Sequence, residues 1–219
     1  MNVIISQENS WSQKLFEKLK IKYPSFIWVK ECNLQILDAL SPKWVFFFHW
    51  SKIVPKEIYQ KYKCVVIHTG RLPKDRGGSP LQNQILKGIT HTRVNAIEME
   101  KKVDSGAIYH SIPITLQGNI TDIWLSIADT AYKLINYCII SNPKPIPQNG
   151  TPQVYKRIQN NKVEFDPLKN ISYVYDQIRM VDDINYPDAY LDINGYRLEF
   201  SRAKLENNQI ITDVKIKKQ

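Results

Sequence analysis

Histidine and aspartate are side chains that move protons near neutral pH, and this chain places one of each just past an apolar run. His68 ends Cys64-Val65-Val66-Ile67, and Asp104 follows the run from Val94 to Met99 and opens Asp104-Ser105-Gly106. In open parallel sheets, ligands bind beyond the carboxyl ends of the strands. The two residues are therefore expected to meet there as a general acid/base pair. His49, Trp50 and Ser51 stand at the end of Trp44 to Phe48 and join them if the two strands are adjacent; a packed aromatic corner is the competing reading for His49 and Trp50. In the Gly- and Pro-rich loop from Thr69 to Gly78, Gly77-Gly78 can turn backbone N–H groups toward an anion beside a helix that starts near Ser79-Pro80. Arg71 and Arg76 in that loop are candidate ligand contacts, with surface solvation as the alternative.

The elements that would position these residues alternate. Met1 to Ser6 reads as a strand, and Ser10 as the N-cap of a helix from Trp11 to about Lys20. A strand from Phe26 to Val29, a helix from Leu34 to Leu40, the strand Trp44 to Phe48, and a helix from Pro55 to about Tyr62 lead into the His68 strand. Trp44 to Phe48 is continuously apolar, as a strand covered on both faces should be. This alternation predicts a parallel sheet with right-handed crossovers. Val94 to Met99 alternates apolar and polar residues like a strand near a sheet edge, and Tyr109 to Ile114 adds another. Thr121 is the expected N-cap of a long amphipathic helix to Ile139.

Four of the 12 prolines fall in residues 142–153, which read as a linker. Beyond it come a helix from Ile171 to Val181 and strands Ala189 to Ile193, Tyr196 to Leu205 and Gln209 to Lys215, with Asn194-Gly195 and Asn207-Asn208 as turn signals. The expected division is a catalytic domain at 1–141, a linker at 142–153 and a small α+β subdomain at 154–219.

At 219 residues, with 43% hydrophobic and 23% charged residues, the chain is a globular protein with one substantial core. Cys32, Cys64 and Cys138 are odd in number and lack metal spacing, so no metal and a reducing, cytoplasmic setting are expected. The amino terminus lacks the pattern of a secretory signal, no apolar run approaches a membrane span, and no Gly-x-Gly-x-x-Gly follows the first strand. Net charge is +9, with 11 Lys/Arg against 10 Asp/Glu over residues 151–219. The excess therefore lies in the first 150 residues, where an anionic small molecule or a nucleic acid would suit it.

His68, Leu72-Pro73, Arg76-Gly77-Gly78-Ser79-Pro80 and Asp104-Ser105-Gly106 together resemble the formyltransferases that use 10-formyltetrahydrofolate. Their pattern is Asn-x-His, a Leu-Pro-x-x-Arg-Gly loop and Asp-x-Gly. The likeness covers roughly residues 40 to 130 and departs from the pattern where the Asn would fall, at Val66. His49-Trp50-Ser51 and the run from Gly77 to Asn83 look most like the members that formylate amino sugars on nucleotide carriers.

The resemblance implies a Rossmann-like α/β domain with a mostly parallel sheet, followed by the small helix and β-hairpin unit. It implies transfer of a formyl group from 10-formyltetrahydrofolate to a nucleotide-linked amino sugar, a 4-amino-4,6-dideoxy sugar, in surface polysaccharide biosynthesis. No nucleic acid and no membrane take part, and a homodimer is allowed. His68 would donate to the oxygen of the tetrahedral species, and Asp104 would orient His68 and help to accept the amine proton. His49, Trp50, Ile53, Val103 and Asp104 would hold the folate. Arg71, Arg76, Gly77, Gly78, Ser79 and Gln82 would hold the sugar nucleotide. The missing Asn calls for another donor, Ser51 first and His49 second. A formyltetrahydrofolate hydrolase, a methionyl-tRNA formyltransferase-like enzyme and a non-enzymatic basic binding protein are the rival readings. A near-neutral C-terminal part argues against tRNA.

Overall fold

The computed structural model describes residues 1–159, 164–165 and 168–219, so six residues of the expected C-terminal subdomain lie outside it. The chain divides into two compact units, one of Met1–Gly77, Thr92–Ile114 and Trp124–Val154, the other of Gly78–His91, Thr115–Ile123 and Tyr155–Gln219. Two stretches of the expected catalytic domain, Gly78–His91 and Thr115–Ile123, are thus grouped with the second unit.

The elements in order are β1 (Asn2–Ser6), α1 (Ser10–Lys22), β2 (Ile27–Val29), α2 (Leu34–Leu40), β3 (Trp44–Phe48), α3 (Lys56–Lys61), β4 (Cys64–Thr69), β5 (Arg76–Gly77), α4 (Pro80–Leu86), β6 (His91–Glu98), β7 (Ile108–Thr115), α5 (Ile120–Ser141), β8 (Val154–Tyr155), α6 (Ile171–Arg179), β9 (Ala189–Ile193), β10 (Tyr196–Glu206) and β11 (Gln209–Lys218). The main sheet has the order β2-β1-β3-β4-β6-β7. Its first four strands are mutually parallel, and β6 runs antiparallel to β4. The expected α/β fold with a mostly parallel sheet is therefore present. All five residues of β3 are at most 1% exposed, as its unbroken apolar run requires.

Two local readings change. Asn9, not Ser10, caps α1: its side chain accepts from Ser12 N at 2.8 Å, and Ser10 is already helical. Thr121 lies inside α5; Asn119 accepts from Asp122 N at 2.9 Å, and the Thr121 hydroxyl donates to Asp183 at 2.6 Å. β6 lies near the sheet edge as expected, with only β7 outside it. The polar position in its alternation is a buried amide: Asn95 Nδ2 donates to Gly70 O at 2.7 Å, and Oδ1 accepts from Ser111 at 2.6 Å.

In the second unit, α6 packs on the antiparallel sheet β11-β10-β9. Asn194-Gly195 and Asn207-Asn208 all have positive φ, which gives the hairpins the turn whose twist matches their strands. Arg179 Nη1 donates to Leu116 O at 2.7 Å and Gly118 O at 2.9 Å. Among the described residues no helix is long and apolar enough to cross a membrane, and no group of three or more His, Cys, Asp or Glu could hold a metal ion.

Candidate active site

β4 delivers His68 to its carboxyl end with a ring only 6% exposed. Ring Nε2 lies 2.7 Å from the backbone oxygen of Asp75, and Nδ1 lies 3.4 Å from Asp104 Oδ2. A carbonyl only accepts, so Nε2 is assigned the proton. Nδ1 of that tautomer presents a lone pair to the carboxylate, and the two groups can hold a proton between them. Distances of this length commonly tighten when substrate arrives.

Asp75 fixes the carbonyl that His68 reads. Its carboxylate is fully buried and accepts from Arg71 N at 2.8 Å, Nε at 2.9 Å and Nη2 at 3.3 Å. Asn95, level with His68 in the β4–β6 register, donates to Gly70 O and, at 3.3 Å, to His68 O. The backbone on both sides of the histidine is thereby pinned.

Asp104 reaches His68 by a different route from the one expected. In the antiparallel register, Val94 opposes Thr69 and Glu98 opposes Val65, so β6 ends level with the amino half of β4. The connection to β7 must double back to bring Asp104 to the histidine. It is tight in two places. Asp104 has φ of 53°, a left-handed conformation that costs on the order of 1–3 kcal/mol in a residue with a side chain. At Gly106 a Cβ would stand 1.8 Å from Glu98 O, so only glycine fits. Asp104 Oδ2 also accepts from Gly77 N at 2.9 Å.

Residues 142–153 are tied to this region rather than spanning it loosely. Ile146 and Ile108 exchange backbone hydrogen bonds at 2.8 and 2.9 Å, and Gln153 N donates to Pro73 O at 3.1 Å. In between, Gln148 Nε2 donates to Asp104 O at 2.9 Å and Gly106 O at 2.8 Å, while Oε1 accepts from Arg76 Nε at 3.1 Å and Nη2 at 2.7 Å.

These contacts change the reading of several expected ligand residues. Arg71 and Arg76 both serve the protein, on Asp75 and on Gln148. The Gly77 N–H is taken by Asp104, and the Gly78 N–H by Tyr155 O at 3.1 Å, so neither is held open for an anion. Gly78, Ser79 and Gln82 fall in the second unit, where a Cβ on Gly78 would meet the Arg157 backbone at 2.7 Å, the Ser79 hydroxyl accepts from Ile158 N at 3.1 Å and Gln82 is buried on α4.

β3 and β4 are adjacent and in register, Phe48 opposite Ile67, as a donor from the β3 end requires. His49, at φ of 47°, sets its ring edge-on to Trp124 at 4.4 Å and to Trp11 at 5.4 Å, and its Nδ1 faces Asn9 Nδ2 at 3.0 Å. It is thus a packed aromatic corner as well as a strand-end histidine. Ser51 is exposed, and its hydroxyl accepts from Gln7 Nε2 at 3.1 Å. Ile53 is 82% exposed and Val103 53%. The indole N–H of Trp50 is buried with no hydrogen-bond partner among the described residues.

Asp75, Asn95 and Gln148 were not singled out from the sequence. Asn95 gave a partial signal, being a polar residue in an otherwise apolar strand. Gln148, in a Pro-rich tract, gave none.

The family profile described as formyl transferase matches residues 6–137, and one described as the methionyl-tRNA formyltransferase C-terminal domain matches residues 159–217. A solved methionyl-tRNA formyltransferase from Clostridium thermocellum superposes with a TM-score of 0.95 at 34% identity, over 100% of both chains. The methionyl-tRNA formyltransferases of Campylobacter lari and Nitratiruptor sp. are 31% and 32% identical, over 64% and 74% of this chain and 47% and 54% of theirs. The chain spans about half the length of these curated relatives. A sugar N-formyltransferase from Shewanella sp. shares 14% identity at a TM-score of 0.69, which is a likeness of fold alone. The expected nucleotide-linked amino sugar, its place in polysaccharide biosynthesis and the exclusion of nucleic acid are overturned by these matches. Formyl transfer from 10-formyltetrahydrofolate, also expected, stands: with the formyl transferase profile covering most of its length, this chain belongs to the formyltransferase family.

Proposed function

We propose that the chain transfers a formyl group from 10-formyltetrahydrofolate to the amino group of methionine carried on tRNA, in the cytoplasm. The observation that carries this reading is the match of residues 159–217 to the methionyl-tRNA formyltransferase C-terminal domain, the part that lies beyond the formyl transferase match. The superposition on the Clostridium thermocellum enzyme over the whole of both chains supports it.

When bound, the folate supplies the activated formyl carbon. His49, Trp50, Ile53 and Val103 would hold it. His68 and Asp104 would take the proton released by the attacking amine, because Nδ1 and the carboxylate have a place for one between them, and that proton would pass to the folate nitrogen as its bond to the formyl carbon breaks. The bond from Nε2 to Asp75 O disfavours His68 as the donor to the formyl oxygen, since its proton is already engaged. Ser51 is the proposed donor, an exposed serine at the end of the strand beside β4 whose hydroxyl is a group that both donates and accepts.

The test incubates the full chain with 10-formyltetrahydrofolate and either methionine-charged initiator tRNA or a nucleotide-linked 4-amino-4,6-dideoxy sugar. Formylmethionine recovered from the tRNA is the expected product. Formylation of the sugar alone overturns the reading.

A further inference from the structure

We propose that Gln148 is a positioning residue for Asp104, holding the left-handed Asp104–Gly106 loop against the Arg76–Gly77 strand so that the carboxylate faces His68. The inference rests on reading His68 and Asp104 as the working pair.

One primary amide makes all four contacts here, two donated and two accepted. That is the full capacity of a glutamine side chain. Both donated protons go to the backbone of the strained loop, at Asp104 O and Gly106 O. Both accepted protons come from the Arg76 guanidinium, a buried cation whose neighbour Gly77 donates its N–H to Asp104 Oδ2. The Asp104 loop and the Arg76–Gly77 strand are therefore tied twice, once through the carboxylate and once through Gln148. The second tie is itself anchored, because the Ile146–Ile108 and Gln153–Pro73 backbone bonds fix the chain on either side of Gln148.

No other natural side chain reproduces this set. Glutamate keeps the reach and the Arg76 contact but turns an anionic oxygen on two carbonyls. Leucine keeps the bulk and leaves every partner unsatisfied. A left-handed Asp104 released from its carbonyl restraint relaxes, and its carboxylate moves off the His68 ring. Misplacement of a catalytic group by about 1 Å can cost about 10²-fold in rate.

The test compares Gln148→Glu, Gln148→Leu, Asp104→Asn and the Gln148→Glu/Asp104→Asn double variant in the full chain, measuring kcat and KM for both substrates. Far-ultraviolet circular dichroism reports folding, and Gln148→Glu guards against a leucine variant that does not fold. The expected result is a fall in kcat of about 10²-fold for Gln148→Glu with KM changed little. In the Asp104→Asn background the same change should have almost no further effect, because the group being positioned is already disabled. A folded Gln148→Glu with normal kcat beside a disabled Asp104→Asn overturns the positioning role and leaves the pair standing. Effects that multiply in the double variant overturn it too, since Gln148 would then act by another route. Near-normal turnover of Asp104→Asn removes the pair itself, and with it the basis of the inference.

Discussion

Ser51 decides whether the missing asparagine at Val66 has been replaced. β3 and β4 lie side by side in the register such a replacement needs, and Ser51 is an exposed residue just past the end of β3. His49, its rival, has its ring wedged against Trp11 and Trp124 and its Nδ1 engaged with Asn9. Ser51→Ala should lower kcat by about 10²–10³-fold, the usual effect of removing one donor to an oxyanion. Melting temperature should hardly move, since the residue is exposed. Steady-state kinetics on Ser51→Ala, His49→Ala and Ser51→Ala/Val66→Asn settle it: recovery of rate in the third supports the substitution, and full activity of Ser51→Ala refutes it. At this scale the sequence was legible where residue type and spacing both spoke, as for His68 and Asp104. It was not legible for Asp75, whose backbone oxygen is the atom that meets the His68 ring, since any residue has one. Nor was it for Gln148, whose meaning lies entirely in partners distant along the chain.

Among the elements, the β10–β11 hairpin shows what a net charge summed over the C-terminal part conceals. A net of +1 over residues 151–219 hides a segregation: residues 196–219 hold six Lys/Arg against three Asp/Glu. Lys204, Lys215, Lys217 and Lys218 are exposed on this hairpin. Summing charge over a segment discards its placement, and phosphate contact depends on placement. If the acceptor is a charged tRNA, Lys217→Gln/Lys218→Gln should raise KM for the tRNA and leave KM for the formyl donor unchanged. The slope of log affinity against log salt should fall by about 1–2, each lost phosphate contact contributing about 0.9 for a duplex and about 0.7 for a single strand. An unaltered slope in a filter-binding titration would separate these lysines from tRNA. The strands and helices themselves were readable from apolar runs and their breaks. The direction of β6 was not, because alternation along one strand says nothing about the sense of its neighbour.

For the molecule as a whole, burial sets an alkaline limit on stability. It pushes the Cys64 and Cys138 thiols up to about 12, and the Tyr109 hydroxyl, with a smaller repulsion from Glu98, up to about 12. In the unfolded chain the thiols return to about 9.0 and the phenol to about 10.0. Their folded values are raised, so the unfolded chain gives up its protons first. The stability these groups contribute is complete below about pH 9 and is lost as pH rises toward about 12. Urea midpoints measured from pH 8 to 11 should be level at first and then fall, and the fall should be shallower in Cys138→Ala. A flat profile would mean that the thiols stay protonated in both states.

The cross-link through Gln148 bears on the order in which the protein comes into being. His68, Asp104 and Gln148 leave the ribosome in that sequence, with long stretches of chain between them. The strands carrying His68 can pair with their neighbours as soon as these are made, since parallel β1, β3 and β4 are complete before the Asp104 loop is synthesised. That loop, by contrast, cannot be held in its left-handed turn until the chain beyond α5 has docked across it. Contacts between such distant residues form late, because the intervening chain must first lose its freedom. If His68 and Asp104 are the working pair, a nascent chain carries them without the geometry to use them, and any transfer they perform waits for a glutamine that is among the last parts of its unit to arrive.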